Sequence, residues 1–372
     1  MGIVDSNNLA KSLRNTGFAL ISLLVSFFVY VYPIVLIGYL IFDLEPNPFH
    51  LAISSLGIAC IIFVYLRTNL SSFYIRSFIF YGMGLGFIGF CVFNLGLIIS
   101  TFQKDYKLEI GYLSLLSFLA LSLYSFWQGR IIKLKILNFE SAKINEPLKF
   151  LFFSDVHLGS NPRKHLENIC TLIAKLDFDF LLIGGDLFDS SSFNINDLTP
   201  LQKIKSPVYF VTGNHEYYVK DHHSKLQALI KQNIVMLDNE NIILNGINLI
   251  GISDNQSPER QFLLARSMIE KDLYNLLVVH KPSIWEKAKD FTDFMLSGHT
   301  HNGQIFPFGY LVRLQFKTVY GLFEQKNSKL FVSSGSGTWG PRMRLGTQNE
   351  ILQLRINPIA NRDLEILEKD FS

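Results

Sequence analysis

Ser297-Gly298-His299-Thr300-His301 sets two imidazoles one residue apart, directly after the apolar run Asp293–Ser297. A run of that length and composition reads as a buried strand, so both histidines stand on a turn at a strand's end. Four more fragments are built the same way. Ser154-Asp155-Val156-His157 follows Lys149–Ser154, and Gly184-Gly185-Asp186-Leu187-Phe188-Asp189 follows Asp179–Gly184. Gly213-Asn214-His215-Glu216 follows Val208–Thr212, and Val278-Val279-His280 closes Asn275–His280. Helix-like segments lie between: Pro162–Leu176, Ser224–Lys231, Pro258–Asp272 and Pro282–Lys289, three of them opening on a proline that a first helical turn tolerates. Further strand-like runs are Ile247–Gly251, Thr318–Phe323, Lys329–Ser333 and Glu350–Ile356, the last three less separated by helix. The alternation predicts a layered α/β domain with a mixed sheet. Functional residues then gather beyond the carboxyl ends of the strands, where all five fragments sit.

Together the fragments supply carboxylates, imidazoles and one amide. That is the ligand mix for two hard-to-borderline divalent or trivalent cations, not for a thiolate zinc site. Asp155 and His157 can serve one ion. Asp186 follows two small residues and can approach two ions at once, and a carboxylate bridge of that kind holds metals about 3.5–4 Å apart. Asn214 offers a neutral oxygen; His280, His299 and His301 offer nitrogens. Such a pair of ions acidifies a bridging water and clamps the oxygens of a phosphoryl centre. His215, beside Asn214, suits a general acid for the leaving oxygen, with Asp189 to orient it. Glu216 reads as a structural turn carboxylate. His222 and His223 read as solvated surface, and His50 and His165 as surface or interface. Arg342 and Arg344 lie in a Gly/Pro loop after a strand and are either surface charges or phosphate-holding groups; the second reading is preferred for Arg344. Phe306–Leu314 is unusually apolar for a loop and reads as core packing, with membrane contact as the close alternative.

These motifs resemble the calcineurin-like metallophosphoesterase superfamily, whose signature is D-x-H, G-D-x-x-D, G-N-H-[DE], a lone His and G-H-x-H. All five occur in the family's order, and the resemblance covers about residues 149–357. The stretches Ser297–Gln304 and Ser333–Pro341 are similar to a branch of bacterial membrane-associated phosphoesterases and lipid-A-pathway pyrophosphatases. The resemblance implies a four-layer domain, a β-sandwich flanked by helices. It implies a first metal on Asp155, His157, Asp186 and His301, a second on Asp186, Asn214, His280 and His299, and His215 as the acid. Manganese, iron or zinc would fill the sites. Asn302 replaces a usual Gly of the branch and Arg342 a second Pro; both bear on substrate fit and not on metal binding.

The rest of the chain reads differently. Of 372 residues, 49% are hydrophobic, 33 are Phe and only 17% are charged, too apolar for a wholly soluble protein. The excess lies in Gly17–Phe42, Leu51–Leu66, Phe78–Ser100 and Ile110–Gln128. A spanning helix needs roughly 20 apolar residues, so the short second run is the weakest of the four. No small-residue cleavage site follows the first, which therefore reads as an anchor. The expected organisation is a transmembrane anchor over 1–130, a linker with a first strand over 131–148, a catalytic domain over 149–357 and a charged tail over 358–372. If all four runs cross, seven of the nine flanking basic residues (Lys11, Arg14, Arg67, Arg76, Arg130, Lys133, Lys135, against Lys104 and Lys107) fall on one side. That predicts a multi-pass protein of the cytoplasmic membrane with its catalytic domain in the cytoplasm. A net charge of +3 gives no reason to expect nucleic acid. Cys60, Cys91 and Cys170 show no metal or redox spacing. The expected activity is hydrolysis of a phosphodiester or pyrophosphate bond, with a lipid-linked molecule or a nucleotide diphosphate as the candidate substrates; a tethered protein or small-metabolite phosphomonoesterase and a non-catalytic membrane sensor or scaffold are the rivals.

Overall fold

The computed structural model describes residues 16–68, 72–190 and 193–359, so Lys11, Arg14 and nearly all of the charged tail lie outside the described residues. The chain divides into two compact units, Met1–Trp127 and Gln128–Ser372.

The first unit holds helices long and apolar enough to cross a membrane: α1 (Thr16–Phe42), α2 (Pro48–Thr68), α3 (Phe73–Phe102) and α4 (Lys107–Gln128), the last of which ends in the second unit. The weak second run is the middle of a 21-residue helix, which at 1.5 Å per residue is about 32 Å and matches the hydrocarbon core. Pro33 has no N–H for the Val29 carbonyl four residues back, and α1 winds as a π turn over Ser26–Val31 at that point. The freed carbonyl faces Gly86 of α3, where a Cβ would come within 1.8 Å of the Val29 oxygen. Gly82, one turn earlier, lies under the Tyr30 ring in the same way. Small residues at this spacing let two helices approach where no water drives them together.

The second unit is built on two six-stranded sheets. Its strands are β1 (Ile132–Ser141), β2 (Leu148–Phe153), β3 (Phe180–Gly184), β4 (Val208–Val211), β5 (Ile234–Met236) and β6 (Glu240–Leu244), then β7 (Ile247–Ile252), β8 (Tyr274–Val279), β9 (Phe294–Ser297), β10 (Gly321–Gln325), β11 (Ser328–Val332) and β12 (Asn349–Pro358). The first sheet runs β1-β12-β2-β3-β4-β5 and the second β10-β11-β9-β8-β7-β6. Strands β2, β3 and β4 are parallel, as are β7, β8 and β9, while β12 against β2 and the outer pairs β6–β7 and β10–β11 are antiparallel. The mixed sheets follow the sequence reading, but β10 starts three residues later than expected, and the short strands β5 and β6 were not expected.

Alternation along the strands sorts the core. Phe150, Phe152, Leu182 and Val211 of the first sheet share one cluster with Leu249, Leu276, Val278 and Leu296 of the second. Leu151, Phe153, Leu181, Ile183 and Phe210 point the other way and pack with Leu166, Ile169 and Ile173 of helix α5 (Arg163–Ile173). Ile250, Leu277, Val279 and Met295 pack with Ala265, Trp285 and Ala288. The parallel strands are continuous apolar runs because both faces are covered, and their carboxyl ends come together at one edge of the two sheets.

Candidate metal centre

Asp155 follows β2, Asp186 follows β3, Asn214 and His215 follow β4, His280 follows β8 and His299 and His301 follow β9. The turns that carry them are strained. Asp155, His157, Asp186, His299 and His301 all have positive φ, between 49° and 71°. That conformation costs on the order of 1–2 kcal/mol per residue and is tolerated best by Asp, Asn and His among side chains with a Cβ. Backbone contacts around them hold it. Asp155 N donates to Gly185 O, His157 N to Asp186 O, and Gly298 N to His280 O. Gly185 has φ of +91°, and a Cβ there would lie 2.6 Å from both Gly213 N and His280 Nδ1.

The fold brings six of the seven predicted ligands together, all of them buried but half-buried His299. One set joins Asp155, His157 and His301; another joins Asp186, His280 and His299. His157 Nε2 lies 3.0 Å from His301 Nε2, 3.9 Å from Asp155 Oδ1 and 3.8 Å from Asp186 Oδ2. His280 Nε2 lies 3.0 Å from Asp186 Oδ2 and 3.9 Å from Asp155 Oδ1. Asn214, beside His215, is buried as well. The backbone N–H of His215 donates to Asp186 Oδ1 and that of His299 to both oxygens of Asp155.

Hydrogen bonding tests whether these atoms fit a cation. His280 Nδ1 is 2.8 Å from the Gly184 carbonyl, which only accepts, so Nδ1 carries a proton and Nε2 is the atom turned inward. Nε2 faces the Asp186 carboxylate at 3.0 Å, with both groups buried. Asn214 Oδ1 is likewise buried with no hydrogen-bond donor. Buried acceptors turned toward one another are unfavourable unless positive charge lies between them. The local field calls for the same charge. Burial opposes a proton on His280, yet the Asp186 and Asp155 carboxylates outweigh it and lift the group to about 10. Burial together with the charge of His280 lowers His299 to about 2. The residues fit a cation centre.

Three expectations change. Asp189 does not hydrogen-bond His215. It accepts from Ser160 N and Oγ, and its Oδ2 lies 3.3 Å from His157 Nδ1, so it orients His157. Three-residue spacing from Asp186 placed it near the site but gave no direction. Arg344 is not available to a substrate: it is fully buried, and its N–H groups are taken by Asn349 Oδ1, His301 O, Thr347 Oγ1, Ser334 O and Gly337 O. It braces the turn that carries His301. Arg342 is half-buried, and its charge, with that of Arg344, resists a proton on His165. His165 itself is buried, 2.7 Å from Ser336 O, and burial lowers it to about 4.

Glu216 is the structural residue that sequence reading expected. Wholly buried, it accepts from the N–H groups of Asp186, Leu187, Phe188 and Gly213 at 2.7–3.2 Å, tying the Asp186 turn to the Asn214 turn. Burial and the Asp186 charge push it up to about 7 against those bonds. His215 is part-exposed, as is His299. Its Nε2 stands 4.0 Å from Asp186 Oδ2, and its ring meets Tyr218 and Trp339, both exposed. No pattern in the sequence pointed to these two aromatics.

The comparisons with known proteins agree with this geometry. The calcineurin-like phosphoesterase family model matches residues 148–303. An uncharacterized metallophosphoesterase of Helicobacter pylori is 34% identical over 302 residues, covering 73% of this chain and 80% of that protein. One from Campylobacter jejuni is 32% identical over 272 residues, covering 68% and 72%. A transmembrane protein with metallophosphoesterase domain from Bos taurus is 32% identical over 234 residues, 56% of this chain and 52% of that one. With four membrane-length helices ahead of a domain whose strand ends assemble this ligand set, the chain belongs to the calcineurin-like metallophosphoesterase family of metal-dependent hydrolases.

Proposed function

We propose that the chain is a membrane-anchored phosphoesterase using two divalent cations to hydrolyse a phosphodiester or pyrophosphate bond. Asp155, His157, Asp186 and His301 hold one cation in this reading, and Asp186, Asn214, His280 and His299 the other. Manganese, iron and zinc all suit this oxygen and nitrogen set. The observation that carries the reading is the crowding at Asp186: its Oδ2 lies 3.0 Å from His280 Nε2 and 3.8 Å from His157 Nε2, with all three groups buried. Bound there, the cations supply the charge that activates water and neutralises phosphate oxygens.

The chain's own residues do the rest. Asp189 and the Gly184 carbonyl face the Nδ1 atoms of His157 and His280, so each ring turns Nε2 inward. His215 delivers a proton to the leaving oxygen. Burial, and the charge of His157 after it, lowers His215 to about 4, so its proton is recruited by the negative charge of the bound substrate. Exposed Trp339 and Tyr218 beside His215 support a substrate with an apolar part, a lipid-linked one included. The basic residues flanking the spans support a cytoplasmic catalytic domain in the cytoplasmic membrane. A hydrolysis screen with manganese, iron and zinc tests the activity, using phosphomonoesters, phosphodiesters, nucleotide diphosphates and lipid substrates. Diesters or anhydrides should turn over best. Preference for monoesters would make the chain a phosphomonoesterase, and tight metal binding without turnover a non-catalytic sensor.

A further inference from the structure

The segment Phe306–Leu314, expected in the core, is on the surface. Phe306 is 57% exposed, Tyr310 61%, Leu311 55% and Leu314 84%, and helix α6 (Gly309–Gln315) buries none of its residues. Apolar composition alone does not tell one low-dielectric medium from another. Two observations say what covers this patch. The first is position within the second unit. Gln128, where the last membrane-length helix ends, donates to Thr347 O, and Gly129 lies against the Arg342 carbonyl. On the other side of that same loop Phe306 N donates to Leu345 O, and Gly346 packs on the Phe306 side chain. Phe306, at the start of the patch, is thus joined through the one loop 342–347 to the residue at which the last membrane-length helix ends. The second is charge. Residues 294–323 contain Arg313 and Lys317 and no acidic residue, and Arg313 folds over the Tyr310 ring. Aromatic and aliphatic tips with basic flanks are the composition of a segment that lies in the headgroup layer.

We propose that Phe306–Leu314, with Arg313 and Lys317, is seated in the interfacial layer of the bilayer that holds α1–α4. The inference rests on reading those helices as spans. It has a consequence for the centre. Phe316, just past the patch, packs on His299, and Gln304, just before it, hydrogen-bonds Trp339 in both directions. The seated segment therefore borders the mouth of the candidate site, which faces phosphate groups at headgroup depth.

The test uses the full chain in lipid bilayers containing anionic lipid, with Cys60, Cys91 and Cys170 replaced and a nitroxide placed through Leu314→Cys, Leu116→Cys or Ile230→Cys. Leu116 is exposed on α4, and Ile230 is exposed beside β5 at the far edge of the first sheet. Collision with oxygen reports lipid and collision with a polar nickel chelate reports water. The labels at 116 and 314 should both be oxygen-rich and chelate-poor, and the label at 230 the reverse. A label at 314 that matches 230, or one shielded from both probes by protein, overturns the proposal while leaving the spans intact. An aqueous label at 116 removes the spans and the proposal together. No turnover is needed, so the outcome is independent of the phosphoesterase reading.

Discussion

His215 and Glu216 are neighbours in the chain and have opposite duties, which two substitutions separate. His215→Ala should keep its metal and lose turnover by about 10²–10⁴, the usual range for a lost general acid. The loss should shrink for a nitrophenolate leaving group, which needs little protonation. An equal loss for good and poor leaving groups would make His215 a phosphate binder. Glu216→Gln acts on structure instead. A glutamine keeps one acceptor oxygen and turns an NH2 toward backbone donors, and each buried N–H left unpaired costs about 1–3 kcal/mol. We expect a lower melting temperature and reduced metal content in detergent, measured by calorimetry and elemental analysis; unchanged values would mean that the clamp between the two turns is dispensable. That these side chains would gather at one place was legible because a carboxylate or imidazole after an apolar strand has few other uses in such a repeated pattern. Direction was not. Asp189 faces His157, and Arg344 faces carbonyls, because left-handed turns at Asp155, His157 and Asp186 re-aim side chains in a way that spacing does not encode.

Among the elements, the contact between α1 and α3 makes the sharpest demand on sequence. Gly86→Leu would drive a side chain into the Val29 carbonyl. Overpacking of this kind costs about 1–3 kcal/mol, so thermal unfolding of the anchor in micelles should shift down. An unshifted transition would mean that the helices are not in contact there. The membrane-length helices and the long parallel strands were legible from their unbroken apolar runs. The π turn was not, although Pro33 marks its place, because a proline predicts only that one hydrogen bond is missing. Strand β5 has three residues and β6 is half polar, too little pattern to stand out from a loop. For helix α6, composition favoured the core only slightly over membrane contact, because exposure depends on the chain's tertiary path.

For the molecule as a whole, the distribution of basic residues predicts sidedness. Reporter fusions after Arg130 should read as cytoplasmic and fusions within the Thr101–Glu109 loop as external. The reverse result at Arg130 would mean that one of the four helices does not cross. The family and its order of motifs were legible in the sequence, whereas the surface around His215, with Trp339 and Tyr218 against its ring, depends on how the chain folds. The account's central claim is that Asp186 serves two cations at once. Metal content and hydrolysis of purified full-length chain, wild type beside Asp186→Asn, measure it most directly. We predict two divalent ions per chain in the active wild type, and loss of both metal and activity in the variant. A wild type fully active with one ion per chain, or an Asp186→Asn protein that keeps two ions and full activity, would contradict it.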